Sequence, residues 1–270
     1  MATYGNGDAG NGAKEGISPG ITLYTNHGCP FAHRAHIAIK ELGLPYEEVI
    51  IDLDKPREPW YLDINPVRHT LDRTKPNQLT SFQRGLVPSI KYSNGLLKDE
   101  IITESAIVAQ FLADSRPSHL LPPSHEDPYA PLFRARIAFF TDTWNTKVQS
   151  NMYTIMKADG EEKERIAKET VAAVEKEIEP LLKDAAPFFG GKSELTLAEV
   201  IIAPFLLRFY ALSNGDLMPK SLKEGLQKLP NFSKWADATL KQESVTYIWD
   251  EEKVVKRTGA RIAKMKQAAK

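Results

Sequence analysis

The chain has 270 residues, of which 42% are hydrophobic and 26% charged, and its 35 basic residues balance its 35 acidic ones. This composition is typical of a globular protein with a sizeable core, arranged as one large domain or two ordinary ones. The zero net charge argues against a general nucleic-acid binder, which needs a positive face. No apolar run reaches the roughly 18 residues that a membrane span requires.

The N-terminal residues 1–19 lack the apolar stretch of a secretory signal and are rich in glycine, asparagine and aspartate, so we predict a disordered leader. "ITLYT" (21–25) then predicts a strand that ends in an Asn-His-Gly turn. Residues 30–43 carry apolar side chains at helical spacing up to a glycine, and "YEEVIIDL" (46–53) predicts a second strand. This order predicts the beginning of a βαβ unit.

"LVPSIKY" (86–92) and "LLKDEIIT" (96–103) predict two more strands, joined by a turn at Asn94-Gly95, which is a strong hairpin signal. "ESAIVAQFLAD" (104–114) predicts a helix. Five prolines between residues 116 and 131 then prevent a regular helix. They indicate a linker between domains.

From about Tyr129 onward the sequence predicts only helices. The apolar run 197–212 predicts a buried helix, and Thr196 with Glu199 three residues later is the signature of a capping box. Residues 251–270 are basic and predict a solvated terminal helix or tail. The alternatives are a localisation signal or a patch for an acidic partner.

Cys29 is the only cysteine in the chain, which excludes an internal disulfide and favours a reducing compartment such as the cytoplasm. Because proline is favoured at the first position of a helix, Pro30 would make Cys29 the N-cap residue. Its sulfur would then face free backbone N–H groups and the positive end of the helix dipole, which favour the thiolate, and Arg34 can add positive potential. The placement favours an activated nucleophile over the commoner role of a lone cysteine as a small buried hydrophobe.

No metal site is expected, because the chain has no second cysteine and His27, His33 and His36 have no familiar ligand spacing. These histidines are interpreted as surface or packing residues. A dithiol motif would need a second cysteine at position 32, where Ala32 stands. Cys29 can therefore form a mixed disulfide with an external thiol but cannot resolve it alone. A small thiol must serve as both partner and resolver, and glutathione is the natural candidate.

Three segments together resemble the glutathione transferase family, and specifically a fungal-like member of its cysteine-type Omega class: "CPFAHR" (29–34), "GLVPSI" (85–90) and "ESAIVAQFL" (104–112). The resemblance covers nearly the whole chain after Gly20. It implies an α/β plus all-α fold, with a thioredoxin-like glutathione-binding domain followed by an all-helical domain. The corresponding boundaries are 20–115 for the first domain, 116–128 for the linker and 129–250 for the helical domain.

The resemblance also implies a catalytic Cys29 and a glutathione site formed by Phe31, Arg57, Val87, Pro88, Glu104 and Ser105. In the family the Val-Pro proline is cis, and the backbone before it pairs with the cysteinyl part of glutathione, as in the addition of a strand. The acidic residue and serine bind the γ-glutamyl end at a helix start, where N–H groups favour a carboxylate. A basic residue after the second strand meets the glycyl carboxylate, and Lys55 is the alternative to Arg57.

By resemblance the activity is glutathione-dependent thiol transfer and reduction, including deglutathionylation and dehydroascorbate reduction. Glutathione is the co-substrate and no metal is implied. The second substrate would be a disulfide or a small apolar or aromatic electrophile. One or two side chains of the first long C-terminal helix would line its pocket, and the others would be core: Phe139, Phe140, Trp144, Tyr153 and Met156. A cytoplasmic homodimer is expected, without a membrane span or nucleic acid.

Two alternatives stay open. The first is a conjugating, isomerising or biosynthetic glutathione transferase. The second is a non-enzymatic binding protein on the same fold, similar to chloride-channel-like relatives. A conjugating enzyme usually holds free glutathione with a tyrosine or serine hydroxyl, and Tyr24 and Thr25 are the nearest hydroxyls upstream of Cys29.

Residues 67–83 depart from the family pattern, because removing them leaves "INPRGLVPSI", in which the family sequence is restored. The segment is polar and without periodicity, so we predict a long loop beside the glutathione site. It is either a functional loop or a retained in-frame intron, since it begins with valine, whose codons start GT, and ends with glutamine, one of whose codons is CAG. Genomic sequence and transcripts distinguish the two.

Overall fold

The computed structural model describes residues 19–65, 68–71, 79–82 and 85–268. Most of the predicted leader, and residues 67, 72–78 and 83 of the predicted insertion, lie outside the described residues. The strands are β1 Gly20–Thr25, β2 Glu47–Ile50, β3 Arg68–Leu71, β4 Leu79–Phe82, β5 Ser89–Ser93 and β6 Glu100–Thr103. The α-helices are α1 Pro30–Glu41, α2 Pro59–Ile64, α3 Ser105–Asp114, α4 Ala130–Trp144, α5 Asn151–Lys157, α6 Gly160–Ala173, α7 Leu197–Leu212, α8 Lys220–Leu226, α9 Pro230–Leu240, α10 Glu243–Thr246 and α11 Glu251–Ala268.

Four strands form a mixed sheet in the order β2-β1-β5-β6. β1 pairs in parallel with β2 and antiparallel with β5, which pairs antiparallel with β6. The predicted βαβ beginning and hairpin are therefore confirmed. β5 begins at Ser89, later than predicted, because Pro88 has no N–H to give to the ladder. β6 begins only at Glu100, because the Asn94 side chain accepts the backbone N–H groups of Leu96 and Leu97 and extends the turn.

The two faces of β1 build two apolar clusters, as the alternation of side chains along a strand requires. Ile21 and Leu23 join the large core, which runs through α1 and α3 and on into the helical half. Tyr24 points to the other face and packs with Tyr61 of α2, and their ring centroids are 5.6 Å apart. Helix α1 thus lies between the sheet domain and α7, against both of which it packs.

The predicted insertion forms regular structure where the structure describes it. The backbone of β3 pairs antiparallel with that of β4, from Arg68 opposite Phe82 to Leu71 opposite Leu79. The prediction of a loop without secondary structure was therefore wrong for these eight residues. The polar sequence shows no alternation, so its periodicity gave no signal for the pairing.

The helical half contains two long helices that are interrupted by wider turns. Residues 145–149 form a π-helical turn between α4 and α5. Residues 174–178 form a second π-turn after α6, and a short 3₁₀ turn, Glu179–Leu182, follows it. Pro180 lies in that 3₁₀ turn and cannot donate a helical hydrogen bond, which accounts for the end of regular helix there. Among the described residues no helix is long and apolar enough to cross a membrane.

Helix α7 is the central element of the helical half, and it is buried on nearly every side, as predicted. Its capping box is confirmed, because Thr196 Oγ1 accepts from the Ala198 N–H at 3.1 Å and Glu199 Oε2 accepts from the Thr196 N–H at 2.8 Å. Helix α7 and the helices packed around it contribute fully buried aromatic side chains to the core: Phe140, Trp144, Phe205, Phe209, Phe232 and Trp235.

Candidate functional site

Cys29 lies at the first turn of α1, where the sequence predicts it. It is the N-cap residue with φ −90° and ψ 121°, Pro30 follows as the first helical residue, and the Cys29 side chain makes no capping hydrogen bond. The side chain is half-buried. Because the thiol does not occupy the terminal N–H groups, the positive end of α1 is available at the sulfur.

The segment before β5 brings backbone groups to the Cys29 sulfur. The Val87-Pro88 peptide bond is cis, as the resemblance implies, and Cys29 Sγ lies 3.8 Å from the Val87 carbonyl oxygen. The carbonyl of Leu86 accepts two hydrogen bonds, from Tyr61 Oη at 2.7 Å and from Asn65 Nδ2 at 3.0 Å. These bonds hold the segment against α2, so the position of Val87 is set by buried polar side chains.

Glu104 and Ser105 lie at the start of α3, beside the end of β5. The register of β5 and β6 places Ser89 opposite Thr103, so Pro88 is next to Glu104. Glu104 is exposed and has φ 69°, a backbone conformation that non-glycine residues rarely adopt and that clusters at binding sites. Ser105 is buried, and its Oγ accepts from Arg34 Nη1 at 3.1 Å.

Arg57 holds the segment before β5 through hydrogen bonds to backbone carbonyls. Its Nε donates to the Gly85 carbonyl at 2.8 Å, and its Nη1 donates to the carbonyls of Asp52 and Lys55 at 2.7 Å. Gly85 has φ +72°, and a Cβ there would lie 3.0 Å from Arg57 Cγ, so glycine is required for this close approach. Lys55 extends into solvent beside Asp52.

Arg34 is a buried cation at the boundary between the sheet domain and the helical half. It donates to the Ile201 carbonyl at 2.8 Å, to Asn145 Oδ1 at 3.2 Å and to Gln149 Oε1 at 3.1 Å. Burial lowers the pKa of its guanidinium to about 10, and Cys29 acts in the opposite direction. None of the partners named for Arg34 is a carboxylate. Its positive charge is therefore not neutralised by these contacts.

Phe31, which the resemblance places in the glutathione site, packs at this boundary. Its ring meets that of Phe205 edge-on at 5.3 Å, and the Arg34 guanidinium lies 5.3 Å from the Phe31 ring centre. The described contacts of Phe31 therefore join α1 to α7.

The sequence reading missed Arg208, a second buried arginine. It comes from α7 and is only 3% exposed; its Nη2 donates to the Gly28 carbonyl at 3.1 Å, and its guanidinium lies 5.1 Å from the ring centre of Trp249. Burial lowers its pKa to about 10, and Cys29 and Tyr153 raise it. A single arginine within an otherwise apolar helix was the available signal, because a buried charge needs a specific partner.

Of the five side chains considered for the second-substrate pocket, Tyr153 is the one whose hydroxyl interacts electrostatically with Cys29. Burial and Cys29 raise the pKa of its hydroxyl, whereas Arg208 and Arg261 lower it, so all of these groups share one environment. Phe140, Trp144 and Met156 are core residues, and Phe139 is 61% exposed on the outside of α4. The expectation that most of the five are core holds for three of them.

The comparisons with known proteins agree with this geometry. Residues 28–115 match the family model described as glutathione S-transferase, N-terminal domain. Over 225 residues the chain is 26% identical to glutathione S-transferase omega-1 of Mus musculus, covering 83% of this chain and 78% of the mouse protein.

Solved structures show the same architecture. Glutathione transferase Omega 2C from Trametes versicolor aligns with a TM-score of 0.68 and 27% identity, covering 90% of this chain and 98% of the fungal one. Rice GST1, solved in complex with glutathione, aligns with a TM-score of 0.70 over 92% of this chain and 98% of the rice chain. At 23% identity the rice protein supports the fold alone.

The chain has a thioredoxin-like sheet domain followed by an all-helical half, which is the fold of the solved glutathione transferases, and a cysteine lies at the first turn of α1. Residues 28–115 match the glutathione S-transferase N-terminal domain, and Omega-class glutathione transferases are among the homologues of the chain.

Proposed function

We propose that the chain is a glutathione-dependent thiol transferase and reductase of the Omega type, which acts through a mixed disulfide between Cys29 and glutathione. The observation that carries this proposal is the environment of the Cys29 sulfur. It lies at the amino end of α1, where the Cys29 side chain makes no capping hydrogen bond, and close to two buried arginines. No second cysteine exists in the chain to resolve an adduct.

The reaction begins when the Cys29 thiolate attacks the glutathione sulfur of a mixed disulfide R–S–S–G. The bond between Cys29 and the glutathione sulfur forms as the S–S bond of R–S–S–G breaks, and the leaving R–S⁻ takes up a proton. The thiolate of a second glutathione, which has released its own proton, attacks the same glutathione sulfur. Glutathione disulfide leaves and the Cys29 thiolate is restored, so R–S–S–G and one glutathione thiol become R–SH and glutathione disulfide. Dehydroascorbate takes two electrons and two protons from two glutathione thiols, which leave as one glutathione disulfide.

We propose that glutathione occupies the groove between α1, the segment before β5 and the start of α3. The Val87 backbone pairs with the cysteinyl unit, and Glu104 and Ser105 bind the γ-glutamyl end at the amino end of α3. Arg57 or Lys55 neutralises the glycyl carboxylate. Arg57 donates to three backbone carbonyls, and the exposed Lys55 pairs with the Asp52 carboxylate at 3.4 Å, so each cation already has a partner that the ligand would share.

The second substrate is proposed to lie next to Tyr153, Arg208 and Trp249, which come from α5, from α7 and from the segment before α11. Trp249 and Tyr153 give aromatic surface, and Arg208 gives a positive charge. This combination fits a disulfide or a small aromatic electrophile.

A conjugating transferase is the second candidate, and the positions of the nearby hydroxyls argue against it. Thr25 Oγ1 is buried and lies 2.8 Å from His36 Nε2, so the histidine occupies it. Tyr24 is 6% exposed and packs against Trp60 and Tyr61. The Thr25 hydroxyl is therefore already hydrogen-bonded, and the Tyr24 ring is buried among aromatic side chains.

The test is a thioltransferase and dehydroascorbate reductase assay on wild type and Cys29→Ser, together with the intact mass after treatment with oxidised glutathione. We expect wild type to turn over and to gain one glutathione, and the variant to do neither. Conjugation of a chlorodinitrobenzene substrate that persists in the variant would support the conjugating enzyme. A wild type without turnover on any disulfide would support a binding protein.

We further propose a cytoplasmic homodimer. Helices α3 and α4 expose large apolar side chains, namely Ile107 at 57%, Leu132 at 52% and Phe139 at 61%. Light scattering coupled to size exclusion measures the assembly, and a monomer at micromolar concentration would contradict it. The single cysteine fits a reducing compartment, and cell fractionation tests the location.

A further inference from the structure

The C-terminal helix α11 lies against the turn that carries Cys29. Arg257 Nη1 donates to Asn26 Oδ1 at 2.9 Å, and its Nη2 pairs with Asp54 Oδ2 at 3.0 Å. A Cβ built on Gly28 would lie 2.8 Å from Arg257 Nη1, so a side chain there would displace the guanidinium. The basic C-terminal segment, for which the sequence predicts a solvated helix or tail, therefore borders the turn before Cys29.

The basic residues of α11 repeat at helical spacing. Successive members are four, four and three residues apart, which places them on one face of the helix, and we call them the basic row: Lys253, Arg257, Arg261 and Lys264. Since Arg257 contacts the turn, the basic row is the face of α11 next to it. Glu251 and Glu252 lie in the first turn of α11, and neither is three or four residues before a member of the row.

Arg261 connects the basic row to the place proposed for the second substrate. Burial and Cys29 raise the pKa of the Tyr153 hydroxyl, whereas the charges of Arg208 and Arg261 lower it. The hydroxyl therefore lies within electrostatic range of the thiol and of both arginines. Arg261 is exposed, so its charge can meet a ligand that arrives from solvent.

Arg208 adds a buried charge at the same turn. Its Nη2 donates to the Gly28 carbonyl at 3.1 Å, and its Nη1 donates to the Pro204 carbonyl at 2.7 Å. The groups that raise its pKa are Cys29 and Tyr153, with no carboxylate of the described residues among them. Both hydrogen-bond partners are neutral, so they leave the charge uncompensated. An anion nearby would stabilise it.

Glutathione leaves these charges unmatched in the arrangement proposed above. Its carboxylates meet Arg57 or Lys55 and the amino end of α3, and the Cys29 thiolate is a single negative charge. We propose, building on the proposed thiol-transfer function, that the second substrate is itself an anion and that Arg208 and Arg261 determine this specificity. It is a disulfide or an aromatic electrophile with a carboxylate, sulfonate or phosphate group. The positive potential attracts such a molecule and raises its rate of association.

The first test compares two alkylating reagents of similar size, the anion iodoacetate and the neutral iodoacetamide. Both react with the same Cys29 thiolate, so the ratio of their rate constants cancels the thiolate fraction and reports the charge preference of the site. At low salt we expect this ratio to exceed that of N-acetylcysteine amide, a neutral free thiol, by at least about threefold. Salt at about 1 M should lower the ratio, because it shortens the range of exposed charges to about 3 Å.

Variants at Arg261 form a charge series on an exposed side chain. Arg261→Lys should keep the ratio, Arg261→Gln should lower it about twofold and Arg261→Glu should lower it further. Circular dichroism shows whether each variant is folded. The matched control is Arg165→Gln, which changes the net charge of the chain as much as Arg261→Gln does. Arg165 pairs with Glu162 and Glu169 on α6, and its variant should keep the wild-type ratio.

The second test uses three mixed disulfides of glutathione that share a two-carbon chain and end in a sulfonate, a hydroxyl or an ammonium group. We expect kcat/KM to be highest for the sulfonate and lowest for the ammonium compound, at least about tenfold apart, and Arg261→Glu to narrow the difference. Leaving-group chemistry alone predicts the reverse order, because the ammonium group lowers the pKa of the departing thiol. The reaction of each disulfide with N-acetylcysteine amide measures that intrinsic order.

The outcomes separate this proposal from thiol transfer itself. A wild-type alkylation ratio equal to that of the free thiol would overturn the anion preference. A ratio that folded Arg261→Glu retains would overturn the role of the basic row. Equal turnover of the three disulfides would overturn the substrate class and leave thiol transfer in place. Absence of turnover on all three would contradict thiol transfer, and the alkylation ratio would still decide whether the site prefers an anion.

Discussion

Helices α1 and α7 pack against each other and begin in opposite ways. At α7 the N-cap Thr196 and the acidic Glu199 occupy the terminal N–H groups, and Glu199 also accepts from Trp235 Nε1 at 2.6 Å. At α1 the N-cap Cys29 leaves the terminal N–H groups without a capping bond from its side chain. The difference shows that a helix start can serve two purposes. One that is capped by side chains stabilises the fold, whereas one without a side-chain cap is available for a substrate.

The largest expected effect is at the uncapped helix start. Cys29→Ser should lower thioltransferase activity by at least about 10³-fold, because the attacking sulfur is lost. The thermal midpoint should barely change, since the thiol makes no capping bond. Activity assays and calorimetry on the same preparations measure both. A variant that keeps a tenth of the activity would remove Cys29 from the mechanism.

The next effect concerns the charge that α7 gives to the beginning of α1. Arg208→Met should slow alkylation of Cys29 by iodoacetamide on the order of tenfold at neutral pH, because it removes a buried positive charge near the sulfur. Arg208→Lys keeps the charge and should retain most of the rate. Equal losses in both variants would assign the effect to the bond with the Gly28 carbonyl instead of the charge.

At the capped helix start the expected effect is on stability alone. Thr196→Ala should lower the free energy of unfolding by about 1 kcal/mol, because Thr196 Oγ1 accepts from Ala198 and no other side chain replaces that bond. Thr196→Ser keeps the oxygen and is the control. Denaturant unfolding gives the free energy, and the alkylation rate of Cys29 should be unchanged. A slower rate would show that the two helix starts are coupled.

A stability effect of similar size and opposite sign is predicted at the start of α3. Glu104→Gly should raise the free energy of unfolding by roughly 1 kcal/mol, because glycine adopts φ 69° without strain. The same change should weaken glutathione binding, measured by calorimetry, if Glu104 pairs with the γ-glutamyl amino group. Glu104→Ala, which keeps the strain, separates the two effects. A Glu104→Gly protein that binds glutathione like wild type would exclude that role.

The sequence predicted much of this framework because its signals are local. Pro30 after Cys29, the Thr196 and Glu199 pair, and the Asn94-Gly95 turn each specify a backbone conformation within a few residues, and all three are observed. The limits of β5 and β6 were less accurate, because they depend on which backbone groups a neighbouring strand or turn takes.

The arginines at the site show where local signals end. Arg34 was visible as a charge near Cys29, but its acceptors Asn145 and Gln149 come from a π-turn more than a hundred residues away. Arg208 gave only the signal of a charge within an apolar helix. Its bond to Gly28 spans 180 residues and exists only because α1 packs against α7.

The sequence by itself determined the class of fold, the position of the reactive sulfur at a helix start and the saturated cap of α7, because each depends on neighbours along the chain. Only the tertiary structure decided which charges surround that sulfur. Those contacts connect residues that are distant in sequence, and the burial of apolar surface that packs α1 between the sheet and α7 brings them together.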